Sequence, residues 1–310
     1  MLIVTGSIAY DYLMGFPGDF ADHILPEHLH NINLSFIVNS FDKHRGGTAG
    51  NISYTLGLLK TKHLLFSVAG RDFEEYKKAF QKLKINLSGV SIDKTTYTAT
   101  GFAMADKSQN QIWGYYYGAA EKNTDLQLKN VAGKNDLVIV GPQGAKGSLS
   151  FINQSVKLGI NYMFDPGFIL TEINNADLTY GLGHAAYIIG NEYEIELMKK
   201  RIPSWDAVVK NKTIITTLGE KGAVIEDRGK RYRIEPAKAK TVATTVGAGD
   251  AWRGGFLAGI ERKFDMQTAG QMGSVASVYA VEHVGTQEHA YTKKEFTKRY
   301  KNAYNEELTV

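Results

Sequence analysis

Short runs of β-branched and apolar residues alternate with longer helical patterns from about residue 120 onward. This alternation is typical of βαβ units, in which helices join parallel strands and cover the faces of one sheet. The runs predicted to be strands are 137–140, 162–164, 187–189 and 213–216. The pattern therefore predicts an α/β fold with a mostly parallel central sheet.

Small or polar residues follow each of these predicted strands. They are Gly141, Asp165, Gly190 with Asn191, and Thr217 with Gly219. Ligands of open α/β sheets bind outside the carboxyl ends of the strands. We therefore expect the functional residues to gather at this edge of the sheet.

Two segments break the alternation, residues 10–41 and 95–118. The second has the pattern of a β-hairpin, with apolar alternation on both sides of a polar turn at 106–110. No repeat or linker divides the chain. We predict one domain over residues 1–310, with a small β-rich lid from about 10–44 and 95–118 inserted in the α/β core.

The composition excludes several classes of protein. Lys and Arg number 36 against 32 Asp and Glu, and the scattered net charge of +4 argues against a dedicated nucleic-acid binder. The absence of cysteine excludes disulfides, thiolate catalysis and cysteine-bound metals. The apolar start is interrupted at Thr5, and no apolar run has membrane-spanning length, so we expect a cytoplasmic protein without a membrane partner.

The strongest motif is the glycine-rich segment 244–252, which leads into a helical pattern. With Gly247 and Gly249 on either side of Ala248, the backbone can approach a ligand closely. The N–H groups and positive dipole of a first helical turn suit a phosphate. Asp250 lies in that turn, where its carboxylate can accept a proton from an attacking hydroxyl.

An ordinary loop with Asp250 as a helix cap is the alternative interpretation of this segment. The glycines that follow, at 254, 255 and 259, weigh against it. Inside a helix each of them costs about 1 kcal/mol relative to alanine, which close helix packing or close approach of a ligand would explain.

The segment resembles the C-terminal signature of the ribokinase-like (PfkB) kinase family, Asp-Thr-x-Gly-Ala-Gly-Asp followed by a helix of small residues. The resemblance implies a three-layer sandwich with a lid, ATP and Mg²⁺ as cofactors, and Asp250 as catalytic base beside an anion hole at 247–249. One position departs from the signature. Thr244 replaces the first Asp, which the family associates with a monovalent-cation site, so dependence on K⁺ stays open.

The segment 45–51 is similar to the N-terminal signature of that family. The resemblance implies that Gly46 and Gly47 let the backbone approach a sugar, and that Asn51 hydrogen-bonds its hydroxyls. It also implies that Asp11 grips substrate hydroxyls, and a carboxylate suits two vicinal hydroxyls. The alternatives are a loop that opens a helix at 52–59 and an Asp in a turn or cap.

Two further segments resemble the ATP side of the family. Asn191 and Glu194 match its Asn-x-x-Glu motif, which implies that Glu194 helps to position Mg²⁺, through water; a helix capping box is the alternative and is compatible with that role. Thr217, Gly219 and Gly222 match its ATP-side loop, and a hairpin turn is the alternative there.

The resemblance implies transfer of the γ-phosphoryl group of ATP to a primary hydroxyl of a small molecule. Segments 16–18, 24–26 and 282–287 resemble the adenosine and nucleoside kinase branch, so we expect adenosine as acceptor and AMP as product. A ribose or fructose kinase and a non-catalytic nucleoside or nucleotide sensor are the alternatives. An aromatic lid face would favour a nucleoside; Tyr115–Tyr117 could stack on a base there, and sheet packing is the alternative and more common role of such a run. The sequence leaves monomer and homodimer open.

Overall fold

The computed structural model describes residues 1–24, 33–108 and 110–309. Its strands within these residues are β1 (Leu2–Thr5), β2 (Ala9–Gly15), β3 (Ser40–Gly46), β4 (His63–Leu65), β5 (Ser67–Gly70), β6 (Val90–Asp93), β7 (Ala99–Ala105), β8 (Gln111–Tyr116), β9 (Leu137–Val140), β10 (Asn161–Phe164), β11 (Tyr187–Asn191), β12 (Thr213–Thr217), β13 (Ala223–Asp227) and β14 (Lys230–Ile234). Its α-helices are α1 (Thr48–Leu58), α2 (Glu74–Lys82), α3 (Ala145–Leu158), α4 (Asn175–His184), α5 (Glu192–Arg201), α6 (Trp205–Val208), α7 (Ala248–Glu261), α8 (Met266–Val281) and α9 (Lys293–Tyr304).

The central sheet has the strand order β14-β13-β12-β11-β10-β9-β1-β4. Strands β4, β1, β9, β10, β11 and β12 are parallel, and β13 and β14 are antiparallel at one edge. All the runs predicted to be strands from the sequence lie in this sheet. The prediction of an α/β fold with a mostly parallel sheet is confirmed.

Helices cover both faces of this sheet. Alternate residues of each strand point to opposite faces, so Leu2 and Val4 pack in one apolar core whereas Ile3 packs in the other. Residues of α1, α2, α7, α8 and α9 fill the first core, and residues of α3, α4, α5 and α6 fill the second. The chain therefore forms the three-layer sandwich that the family resemblance implies.

The segments that break the alternation contribute a second, four-stranded sheet of order β3-β2-β7-β8. Strands β7 and β8 form the expected hairpin, and the side chain of Asp106 accepts hydrogen bonds from Asn110 in its turn. Closure of this sheet over a ligand stays a prediction. Leu25 and Pro26, from one segment that resembles nucleoside kinases, lie outside the described residues.

Glycines in α7 let this helix approach its neighbours closely. A Cβ atom at Gly254 would lie 2.6 Å from the Thr55 side chain of α1, and one at Gly255 would lie 2.5 Å from the Met272 carbonyl oxygen of α8. A Cβ at Gly259 would lie 2.7 Å from the Cα of Ala269. Helix packing therefore explains these three glycines.

No helix in the described part of the chain combines the length and apolar character that crossing a membrane requires.

We expect Gly255→Ala to lower the free energy of unfolding by about 1–3 kcal/mol, because its new methyl group would press on the backbone of α8. This loss would exceed the gain in helix propensity that alanine brings. Urea unfolding followed by circular dichroism measures it. Gly114→Ala is the control, since nothing lies within 4 Å of a Cβ there. Equal stability of the two variants would contradict the packing argument.

Candidate active site

Gly247 ends the loop before α7 in a left-handed conformation, with φ 81° and ψ −7°. A Cβ at this position would lie 2.7 Å from Cγ2 of Thr286, so both the backbone angles and the packing require glycine. Ala248, Gly249 and Asp250 are the first residues of α7. The first N–H groups of a helix have no partner within it, and together with the helix dipole they favour an anion.

The carboxylate of Asp250 is held at the start of α7 by a hydrogen bond from α1. Nδ2 of Asn51 donates to Oδ2 of Asp250 at 2.8 Å. Burial raises the pKa of Asp250 to about 6, against the lowering effects of the Arg253 charge and of this hydrogen bond. A carboxylate with a pKa near 6 is ionised at neutral pH and is a stronger base than an ordinary aspartate.

Helix α1 begins at Thr48, four residues before the start predicted from the sequence. Gly47 makes this possible with φ 85°, and a Cβ there would lie 2.6 Å from Ser7 O and Ala9 N. The Ser7 hydroxyl accepts a hydrogen bond from the N–H of Thr48. The predicted helix start was wrong because Gly47 turns the chain directly from β3 into the helix.

Asn51 therefore lies in the first turn of α1, and both ends of its amide are engaged. Its Oδ1 accepts hydrogen bonds from Oγ1 of Thr286 and Nε2 of Gln287, each at 2.8 Å, while its Nδ2 donates to Asp250. This arrangement orients the Asp250 carboxylate. Direct contact of Asn51 with an acceptor hydroxyl stays a prediction.

Asp11 projects from β2 over glycines of both neighbouring strands. A Cβ at Gly46 of β3 would lie 2.1 Å from Oδ2 of Asp11, and one at Gly101 of β7 would lie 2.9 Å from Oδ1. These glycines leave room for the carboxylate. Burial raises the pKa of Asp11 to about 6, and the His44 charge opposes the shift. Asp11 and Asp250 are near enough that the charge of Asp11 helps to raise the pKa of Asp250.

Asn191 and Glu194 form the capping box of α5. Oδ1 of Asn191 accepts from the Glu194 N–H at 2.8 Å, and Oε2 of Glu194 accepts from the Asn191 N–H at 2.7 Å. Burial, followed by the negative charge of Asp165, raises the pKa of Glu194. The pair thus lies at the carboxyl end of β11, beside the charged groups around α7.

The predicted ATP-side loop is the connection between β12 and β13. Thr217 ends β12 and pairs with Asn191 in the sheet register. Gly219 has φ 59°, and Gly222 has φ 88° with its Cα hydrogens against the carbonyl oxygen of Ile234, where a Cβ would lie at 2.0 Å. The turn exists as the alternative interpretation expects, and binding of ATP by its residues stays a prediction.

A buried ion pair next to Asp250 was missed by the sequence reasoning. Nε and Nη2 of Arg253 donate to the two carboxylate oxygens of Asp165 at 2.5 and 2.7 Å. Asp165 directly follows β10, and Arg253 lies one turn after Asp250 in α7. An arginine within the mostly apolar stretch of α7 after Asp250 was the available signal.

The family model described as pfkB family carbohydrate kinase matches residues 16–293. A nucleoside kinase from Methanocaldococcus jannaschii is 28% identical over 262 residues, which cover 82% of this chain and 85% of that protein.

Solved structures of Burkholderia thailandensis nucleoside kinase resemble the whole fold. Its complex with inosine has a TM-score of 0.88 and 33% identity, and covers 99% of both chains. Its complex with ADP-inosine has a TM-score of 0.86 and 34% identity, and covers 100% of this chain and 98% of that one.

The raised pKa values predict that the site weakens the fold at neutral pH. Asp250 has a pKa of about 6 in the folded state and about 3.9 in the unfolded state, so the folded protein holds this proton more tightly. The stability that protonated Asp250 gives the fold is therefore lost as the pH rises through 6. We expect Asp250→Asn to raise the free energy of unfolding at pH 8 by about 1–2 kcal/mol, a value reduced for partial solvent screening, and to have no effect at pH 4.

Asp93→Asn is the matched control for that measurement. Hydrogen bonds from Thr96 and Thr95 hold the pKa of Asp93 well below its usual range, so its ionised form stabilises the fold. This substitution should lower the melting temperature at pH 8. Thermal unfolding of both variants across pH 4–8 measures the two effects. Shifts of the melting temperature with the same sign for both variants at pH 8 would contradict the argument.

Proposed function

Because the chain belongs to the pfkB family of carbohydrate kinases and is a phosphotransferase with an alcohol acceptor, we propose that it transfers the γ-phosphoryl group of ATP to the primary hydroxyl of a nucleoside. The similarity to archaeal and bacterial nucleoside kinases supports this acceptor class. The inosine and ADP-inosine complexes of the Burkholderia enzyme support a purine nucleoside and an adenine nucleotide as the two ligands.

The observation that carries the proposal is an aromatic surface on the Asp11 face of the second sheet. Trp113 and Tyr115 of β8 stack with ring centroids 5.5 Å apart, and Tyr115 lies parallel to Phe168, at 6.3 Å, from the loop after β10. Tyr115 is 73% exposed and Phe168 50% exposed. Large flat rings with exposed faces suit stacking with a planar base, which a free sugar lacks.

The position of Asp11 relative to this surface matches the shape of a nucleoside. A Cβ at Gly101 would touch the Asp11 carboxylate, Trp113 and Tyr115 together, at 2.9, 3.1 and 3.5 Å. Burial, followed by the negative charge of Asp11, raises the pKa of Tyr115. The carboxylate would accept hydrogen bonds from the ribose 2′ and 3′ hydroxyls while the base stacks on the rings.

The reaction follows from the groups at the start of α7. The acceptor hydroxyl attacks the γ-phosphorus in line as its proton passes to Asp250; a new P–O bond forms, the bond to the β-phosphate oxygen breaks, and ADP leaves. The N–H groups at 247–249 and the dipole of α7 would stabilise the charge on the transferring group. Asp11 would hold the acceptor for this attack.

Magnesium fits the residues only as an ion held chiefly by phosphate oxygens and water. In the described ranges, no three His, Asp or Glu side chains converge to hold a metal. Mg²⁺ keeps several of its waters and needs few protein ligands, so Glu194, in the first turn of α5, would be enough to orient one of them. Bound there, the ion would neutralise charge on the phosphates.

Adenosine is our specific proposal for the acceptor. Segments 16–18 and 282–287 support it through their resemblance to the adenosine kinase branch, and the second of them supplies Thr286 and Gln287 to the Asn51 amide. Closure of the second sheet over the acceptor would exclude water and limit hydrolysis of ATP.

The first test is turnover of adenosine, inosine, cytidine, ribose and fructose with Mg·ATP, using wild type and Asp250→Asn. We expect nucleosides to react much faster than sugars, and the variant to lose roughly 10²–10⁴-fold in kcat while its affinity for the nucleoside is kept. Preference for ribose or fructose would make it a sugar kinase. Binding without turnover in wild type would make it a sensor.

The second test separates the two faces of β8. Tyr115→Ala should raise the KM for a nucleoside roughly tenfold, because a base loses its stacking partner, and should leave kcat nearly unchanged. Tyr116→Ala is the matched control, since Tyr116 is 46% exposed on the opposite face of the strand. Similar KM values for the two variants would exclude the proposed base site.

A further inference from the structure

The guanidinium group of Arg253 is oriented by a single partner. Asp165 accepts hydrogen bonds from Nε at 2.5 Å and from Nη2 at 2.7 Å, a bidentate arrangement that fixes the plane of the group. Arg253 is only 7% exposed. The charge is therefore held in one place inside the protein, whereas a surface arginine would sample many positions.

The third nitrogen of this group faces the glycine turn. Nη1 of Arg253 lies 3.0 Å from the position that a Cβ at Gly249 would occupy. Within the described residues, Nη1 donates no hydrogen bond, in contrast to Nε and Nη2. The methyl group of an alanine at 249 would lie between the guanidinium and the space above the turn. Glycine leaves that space accessible to Nη1.

The surroundings of Arg253 are otherwise acidic. Burial lowers the pKa of Arg253, and the negative charges of Asp165, Asp250 and Glu194 raise it, in that order of strength. Three carboxylates around one guanidinium would repel the phosphates of a nucleotide if the cation were absent. A fixed positive charge is thus needed at this point more than elsewhere along the sheet edge.

Thr244 offers no substitute for that charge. Its hydroxyl oxygen accepts a hydrogen bond from the N–H of Val246 at 3.2 Å, and no carboxylate stands at this position to balance a bound monovalent cation. The segment before the turn therefore does not fit a K⁺ site of the kind that the family signature implies. Arg253 is a cation that the chain itself supplies.

We infer that Arg253, clamped by Asp165, holds a permanent positive charge against the phosphoryl group that occupies the Gly247–Asp250 turn. The inference rests on the proposed function for the identity of that group. Arg253 would touch the γ-phosphate through Nη1 and stabilise it more during transfer than in bound ATP, since charge placed in advance in a dry site costs no reorganisation. The same charge would make K⁺ unnecessary.

The test compares ATP and ADP binding in Arg253→Met/Asp165→Asn, which removes both members of the ion pair, so that neither is left buried without the other. We expect ATP affinity to fall roughly tenfold, ADP affinity to stay within about twofold, and kcat to fall roughly 10²–10³-fold. Arg253→Lys, with Asp165 intact, keeps a positive charge but loses the bidentate clamp and Nη1, so the ratio of ATP to ADP affinity should fall by less than in the double variant; it serves if the double variant does not fold. Wild-type turnover should be equal in potassium and tetramethylammonium chloride.

Arg262→Met is the matched control, because Arg262 ends the same helix but donates to Thr61 Oγ1 and the Leu59 carbonyl instead. Unchanged ATP affinity and kcat in the double variant, or an equal loss of ATP and ADP affinity, would overturn the role of Arg253, as would turnover that requires potassium. Selective loss of ATP affinity without turnover of any acceptor by wild type would refute the proposed function alone. A wild type that binds no ATP would overturn both.

Discussion

The hydrogen bond from Asn51 to Asp250 joins the two helices on which the candidate site is built. It forms because each helix starts after a glycine with a positive φ, Gly47 before α1 and Gly247 before α7. Gly254 then lets α7 lie against α1 without the spacing that a side chain would impose. A shift of either helix would break the bond and release the carboxylate, so the chemistry of the site depends on the packing beneath it.

The charges of the site oppose the stability of the fold. Burial raises the pKa values of Asp11 and Asp250 to about 6, so at neutral pH each carboxylate is ionised in surroundings that disfavour its charge. Arg253 offsets part of this cost for Asp250. Basic, poorly solvated carboxylates are useful for binding hydroxyls and for accepting a proton, which explains why such a cost persists in a folded enzyme.

Local patterns predicted much of the fold. Four strands of the central sheet, the hairpin at 95–118 and the start of α7 follow from periodicity and glycine placement, to within a few residues of their observed bounds. The Arg253–Asp165 pair could not be found in this way, because its members are 88 residues apart and meet only when α7 packs on the carboxyl end of β10. The start of α1 was missed for a related reason, since the backbone angle at Gly47 depends on contacts with the loop after β1.

The two parts of the site differ in what they can recognise. The turn at 247–250 presents N–H groups and a carboxylate, which distinguish a phosphate and a hydroxyl but nothing further along the acceptor. If the proposed function holds, acceptor choice would arise in the second sheet, where the period of two along β8 places Tyr115 towards Asp11 and Tyr116 away from it. A shift of one residue in the register of β8 would exchange these side chains and remove the aromatic surface while the turn at 247–250 stayed intact. Kinases with the same glycine turn can thus differ in acceptor through one hairpin.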